Sequence, residues 1–259
     1  MFLKVIACEI AFREICHAAA HAKNLTDLEF LPQGYHHDPP HGRKCVQERI
    51  EAVPEGKYDA ILLGYGLCGN ILNGIKATHT PLIIPRAHDC ITFFLGSHER
   101  YMTVSQTRPG AYFYTSGWLE CLRRRGDSAA ALEQQTFLPS RASIGGSASS
   151  TYQQWVERYG EEQAKYLMSE MDRWTANYTH GVLIQFDFTR ALQLREQVQA
   201  ICDKNHWQFE ERLGDLALMQ AWLDGNWDAK RFLTIKPGEE VMPTYNDAVM
   251  AAKPASVSA

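Results

Sequence analysis

Asp59-Ala60-Ile61-Leu62-Leu63 is a short apolar run that breaks at once into Gly64-Tyr65-Gly66-Leu67-Cys68-Gly69-Asn70. An apolar run this short, bounded by a charged residue and by glycine, reads as a strand buried on both faces of a parallel sheet. The glycines that follow permit a sharp bend and a close approach of backbone to a ligand. Two other stretches repeat the pattern. Leu3-Lys4-Val5-Ile6-Ala7 leads directly into Cys8, and Pro81-Leu82-Ile83-Ile84-Pro85 leads through Arg86-Ala87-His88-Asp89 to Cys90. A cysteine therefore follows each of three strand-like runs. In an open α/β sheet the carboxyl ends of parallel strands face one crevice, where such folds bind ligands. This reading brings three thiols that are distant in the chain toward one point.

Outward from these runs, strand-like segments alternate with segments of helical period, the pattern of β-α-β units. Helix is expected over 10–22, 44–52, 190–204 and 216–223, and strand over 28–31, 111–115, 182–186, 207–211 and 232–235. A long helix is expected over 152–177, its stripe of Trp155, Tyr159, Tyr166, Leu167, Met171 and Trp174 facing a core. The fold class is α/β: a Rossmann-like, mostly parallel sheet flanked by helices, with a second α/β half. Residues 1–124 form the half that carries the cysteine motifs, and 125–150, small and polar with Ile144-Gly145-Gly146-Ser147-Ala148-Ser149-Ser150, form a flexible connection. Residues 151–245 form the second half, and 246–259 a disordered tail.

Composition narrows the function classes. The chain has 259 residues, 45% hydrophobic and 22% charged, with a formal charge of −4. That balance gives no electrostatic footprint for nucleic acid, and Arg123-Arg124-Arg125 reads as a solvated helix end. Glu9 and Arg13 interrupt the first apolar run too soon for a signal peptide, and no stretch approaches membrane-spanning length, so a cytoplasmic protein without a membrane partner is expected. Seven cysteines, an odd number without any C-x-x-C pair, then point to free or ligating thiols.

Thiolates favour soft and borderline metals, and a centre held by Cys8, Cys68 and Cys90 leaves a fourth position open for water or substrate. The expected cofactor is zinc or a 4Fe-4S cluster. His88, two residues before Cys90, is the candidate fourth ligand or general acid–base group, unless it caps the helix that follows. Asp89 is placed to orient it, and Arg86 to offer a planar fork to an anionic substrate. The turn around Cys68 offers Tyr65, Gly66 and Asn70 to a small polar substrate, and Trp118 is a further candidate for lining the pocket, with Tyr101, Tyr112, Tyr114 and Trp174 beside it. His36, His37 and His41, with Asp38, lie in a loop expected on the same sheet edge and either join the site or sit exposed. Cys16, Cys45, Cys121 and Cys202 fall in helix-like segments as packing residues. The turn lacks the full G-x-G-x-x-G and any following Lys-Ser or Lys-Thr, and neither G-x-S-x-G nor H-E-x-x-H occurs.

Gly64-Tyr65-Gly66-Leu67-Cys68-Gly69-Asn70, Pro85-Arg86-Ala87-His88-Asp89-Cys90-Ile91-Thr92, Gly96-Ser97, Arg100-Tyr101, Pro109-Gly110 and Gly117-Trp118 together resemble the bacterial and archaeal family catalogued as domain of unknown function 1638. Tyr159-Gly160-Glu161-Glu162 and Trp174-Thr175-Ala176-Asn177-Tyr178 extend the resemblance over most of the chain. It departs from the family pattern at Phe93-Phe94 and His98, away from the cysteines. Members are often encoded near corrinoid-dependent methyltransferases and their activation proteins. The resemblance therefore implies one-carbon or methylamine metabolism, with a corrinoid protein or methyltransferase as partner. The expected function is a metal- or iron–sulfur-dependent enzyme of lyase or transferase type acting on a small polar substrate. The alternatives are a non-catalytic accessory or carrier protein for a corrinoid system, and thiol redox chemistry between two of the cysteines.

Overall fold

The computed structural model of the protein describes residues 1–35, 38–125, 156–157, 159–166, 178–244 and 246–255. The chain divides into two compact units, one of Met1–Met102 with Gly214–Ala259 and one of Thr103–Leu213. The first unit is built on strands β1 (Phe2–Cys8), β2 (Leu25–Leu31), β3 (Ala60–Gly64), β4 (Leu82–Pro85) and β8 (Phe232–Ile235) in the order β2-β1-β3-β4-β8. All pair parallel except β8, which runs antiparallel to β4. The mostly parallel, helix-flanked architecture read from the sequence is present.

Strand composition follows position in this sheet. β1, β3 and β4 are interior strands, and Val5, Ile6, Ile61, Leu62, Leu63, Leu82 and Ile84 have almost no exposed surface. β2 is the edge, so its Asp27 and Glu29 remain partly exposed and pair with Lys4 of β1 at 3.5 and 3.0 Å. One sheet face is covered by α2 (Pro39–Glu51): its Val46 and Ile50 join Ile6, Ile61, Leu63, Leu82 and Ile84 in a single apolar cluster. Prolines at the first two positions of α2 and the Asp38 carboxylate, accepting the His41 N–H at 3.2 Å, start this helix.

The opposite face is covered by α1 (Phe12–Ala20), α3 (Cys90–Leu95) and α7 (Ala217–Leu223). Trp222 of α7 is fully buried, packs edge-on against Phe93 and donates its indole N–H to the Ile83 carbonyl at 3.1 Å. At the centre, a Cβ on Gly64 would lie 2.5 Å from the Ala7 Cβ and 3.2 Å from the Trp222 ring, so only glycine lets β1 and β3 close together here.

The second unit carries a three-stranded parallel sheet, β5 (Ala111–Tyr114), β6 (His180–Gln185) and β7 (Gln208–Leu213), with α5 (Ser116–Arg125) and α6 (Leu194–Asn205). The helix α4 (His98–Thr107) contains the point where the chain passes from the first unit to the second. This division differs from the one expected between residues 124 and 151. Strand-like and helix-like segments occur on both sides of that point, and nothing local marks β8 as belonging with β4.

The expected disordered tail is ordered through Ala255. β10 (Met250–Pro254) pairs antiparallel with β9 (Glu239–Pro243), and the Ala255 N–H donates to the Gly238 carbonyl at 2.9 Å. Val241, Val249 and Met250 of this hairpin join the α2-side core. The connection over 126–150 and most of the helix expected over 152–177 lie outside the described residues.

Arg86 locks this C-terminal segment to the sheet. Its Nε donates to the Ala229 carbonyl at 2.9 Å, and its Nη1 to the carbonyls of Ala248, at 2.7 Å, and Met250. Deleting the guanidinium strands three carbonyls, so Arg86→Met should lower unfolding stability by about 2–3 kcal/mol in urea titration, with Arg86→Lys recovering only part of it. Unchanged stability would return Arg86 to the substrate-binding role read from the sequence.

Candidate functional site

Strand order fixes where the crevice lies. The chain leaves β1 for β2 on one side and returns to place β3 on the other, so the switch point falls between the carboxyl ends of β1 and β3. Cys8 is the last residue of β1, Cys68 lies four residues past the end of β3, and Cys90 opens α3 after β4. The loops after β3 and β4 are zipped together: the Leu67 N–H donates to the Ala87 carbonyl at 2.9 Å and the Cys68 N–H to the His88 carbonyl at 3.0 Å. Gly66 makes this possible, because a Cβ there would stand 2.8 to 2.9 Å from the backbone of Asp89.

The turn that presents Cys68 is wound left-handed. Cys68, Gly69 and Asn70 have φ of 41°, 71° and 71°, and the Ile71 N–H closes the turn on the Leu67 carbonyl at 2.9 Å. Glycine adopts this region freely, whereas a cysteine with φ of 41° carries strain, a cost that collects at functional positions.

The three thiols are near enough to act on one another. Burial pushes the Cys68 thiol up to about 12, with the Asp89 carboxyl adding to the effect and the N–H groups of Gly66 and Cys90 opposing it. Burial likewise holds Cys90 well above the ordinary thiol value, reinforced by Cys68, Asp89 and Cys8. All three cysteines nonetheless keep partial exposure. They line a recess, enclosed by protein yet open to solvent. Thiols that hold their protons this firmly are poor nucleophiles, whereas a thiophilic cation reverses the balance by displacing the protons. Among the described residues no three His, Cys, Asp or Glu side chains already stand in a metal-holding group.

Neighbours of the cysteines and the loop after β2 complete the wall. Glu9, next to Cys8, is buried and accepts the Gln33 N–H of the loop after β2 at 2.8 Å. Tyr65 is 5% exposed, and its hydroxyl lies among Cys8, Tyr35, Cys68 and Glu9; burial first, then these neighbours, hold it well above the usual phenol range. On the β4 side, Asp89 caps α3 by accepting the Ile91 N–H at 2.9 Å and accepts the Tyr101 hydroxyl at 2.9 Å. Burial raises its carboxyl, and these hydrogen bonds oppose the rise.

The sequence-derived site residues divide accordingly. Cys8, Cys68, Cys90, Tyr65, Gly66 and Asp89 frame one crevice, with Asn70 exposed on its rim. His88 is exposed, its ring centroid 6.0 Å from that of His98, and Asp89 is the group beside the thiols and the cap of α3. Arg86 binds backbone carbonyls. Trp118 lies in the second unit, where its indole N–H donates to the Tyr112 hydroxyl at 3.2 Å within an aromatic cluster of Tyr112, Tyr178 and Trp207. His36, His37 and Trp174 fall outside the described residues. His41 sits on α2 with Nε2 3.5 Å from Cys45 Sγ and its ring against Tyr35. Cys121 and Cys202 are buried packing residues.

Sequence reasoning passed over Glu9 and Tyr35, and read Tyr101 only as a candidate for lining the pocket. A carboxylate directly after an apolar strand that ends in cysteine was a usable signal for Glu9. Tyr101 lies on α4 and reaches Asp89 only through the tertiary fold.

Fold and site together define a doubly wound α/β protein with a thiol-lined crevice at its switch point. The chain belongs to the family described as Protein of unknown function (DUF1638), whose pattern matches residues 30–223. Cys68 and Cys90 fall inside that span and Cys8 precedes it. No curated protein matches the chain, and no solved structure does. No helix among the described residues is long and apolar enough to cross a membrane.

The left-handed turn is directly testable. Cys68→Gly should be more stable than Cys68→Ala by about 1 kcal/mol in chemical denaturation, because only glycine enters that backbone region without strain. Equal stabilities would show that the turn relaxes when the thiol is removed.

Proposed function

We propose that Cys8, Cys68 and Cys90 hold a thiophilic metal centre, a 4Fe-4S cluster or zinc, whose open position binds a small polar substrate. The convergence of three thiols from three separate strand ends on the switch point carries this reading. Cys8, Cys68 and Cys90 would hold the metal as thiolates, their protons released to solvent. The metal supplies Lewis-acid polarisation of the bound substrate. Asp89, oriented by Tyr101 and the Ile91 N–H, is the carboxyl placed to exchange a proton beside that position, and exposed His88 connects it to solvent. The reaction class is lyase or transferase, in the corrinoid-linked one-carbon setting that the family resemblance implies.

The test is metal and acid-labile sulfide analysis, with an absorption spectrum, on protein purified without oxygen beside Cys68→Ser. Iron with sulfide, lost in the variant, supports a cluster enzyme and directs assays to dehydration and other lyase reactions. Zinc lost in the same way supports methyl or thiol transfer. A metal that exchanges freely, together with a stable complex with a corrinoid protein, turns the reading into that of a carrier. Absence of metal from both samples overturns it, and thiol counting under oxidising and reducing conditions then tests disulfide chemistry.

A further inference from the structure

Two hydroxyls on the segments that frame the crevice are buried without a protein partner: Tyr65 Oη and Thr92 Oγ1, on residues 5% and 1% exposed. Tyr65 lies among Cys8, Cys68, Tyr35 and Glu9. Thr92 is two residues past Cys90 on α3, with its N–H toward the Asp89 carboxyl. A third enclosed donor without a partner is Arg43 Nε, whose guanidinium also donates through Nη2 to the Asn70 carbonyl, 3.1 Å away, at the end of the Cys68 turn. Buried polar groups are almost always hydrogen-bonded, and leaving the bond unmade is costly. These three occur on three different segments of one sheet edge.

All three can donate and the guanidinium can only donate, so a group rich in acceptors complements them. Glu9 and Asp89 set two carboxyl groups in the same recess, which opposes a doubly charged ligand such as phosphate. A singly charged, planar group with two acceptor oxygens suits one guanidinium and two hydroxyls. We propose that the crevice binds a small monocarboxylate, received by the hydroxyls of Tyr65 and Thr92 and the guanidinium of Arg43. This gives the substrate class of the site proposed above and rests on that reading for its chemistry, while the binding itself needs only the three donors.

The experiment measures thermal shifts of the full-length protein with acetate, glycolate, phosphate and chloride on the order of 10 mM at matched ionic strength, beside Tyr65→Phe and Thr92→Val. A saturable rise in Tm with acetate or glycolate, absent with phosphate and chloride, is expected. Each variant should weaken that binding about tenfold. Tyr65→Phe should melt at or above the parent temperature, since it removes a buried hydroxyl that nothing in the protein satisfies. Its metal content should equal the parent's, which separates carboxylate binding from metal binding. Carboxylate binding that persists in metal-free Cys68→Ser keeps this inference even if the metal centre fails. No saturable shift, an equal response to phosphate, undiminished binding by Tyr65→Phe, or a lowered melting temperature for that variant would each overturn it.

Discussion

Two backbone hydrogen bonds between the loops after β3 and β4, from Leu67 to Ala87 and from Cys68 to His88, hold the crevice in shape. They require Gly66 to lie flat against the backbone of Asp89. Past the zipped loops the chain leaves Leu67 through three left-handed residues before Ile71 rejoins the core. The thiol of Cys68 is thereby aimed at the N–H groups of Gly66 and Cys90. Sheet order alone would bring the strand ends together. The zipped loops decide which side chains face inward there.

The chemistry of the recess follows from its enclosure. Burial is the first cause of the raised values at Cys68, Cys90, Tyr65 and Asp89. In this poorly hydrated space neighbouring acidic groups add to the effect of burial at Cys68, Cys90 and Tyr65, whereas hydrogen bonds oppose it at Asp89. Such a cluster is quiet toward electrophiles and receptive to a cation. The same enclosure leaves the hydroxyls of Tyr65 and Thr92 without water-like partners in the protein.

β1, β3 and β4 were legible because strands covered on both faces show as unbroken apolar runs, and the loops after them could be read for chemistry. Cys8, Cys68 and Cys90 were placed on one edge by that logic. β9 and β10 were not legible: Glu239–Pro243 and Met250–Pro254 are short, contain proline and charge, and form a hairpin only because they pack on a core made by α2 and β3. The partners of Arg86 and Trp118 were not legible for a related reason. A fork of donors next to a histidine looks like substrate recognition until the carbonyls of Ala229, Ala248 and Met250 are seen to fill it. An indole near a glycine looks like a pocket wall until Tyr112 meets it.

The first unit is discontinuous in the chain, and this shapes how it assembles. Leu82 of β4 pairs with Ile235 of β8, and α7, which carries Trp222 beneath β3, also follows the whole of Thr103–Leu213. During synthesis β1 to β4 emerge with the β4 edge unpaired and without the cover of α7, and they must wait for the second unit to pass before either is supplied. Closure over so long a loop is entropically slow, and β4, with its bare backbone and apolar face, is the part of the nascent chain most in need of shielding from other strands in the interval.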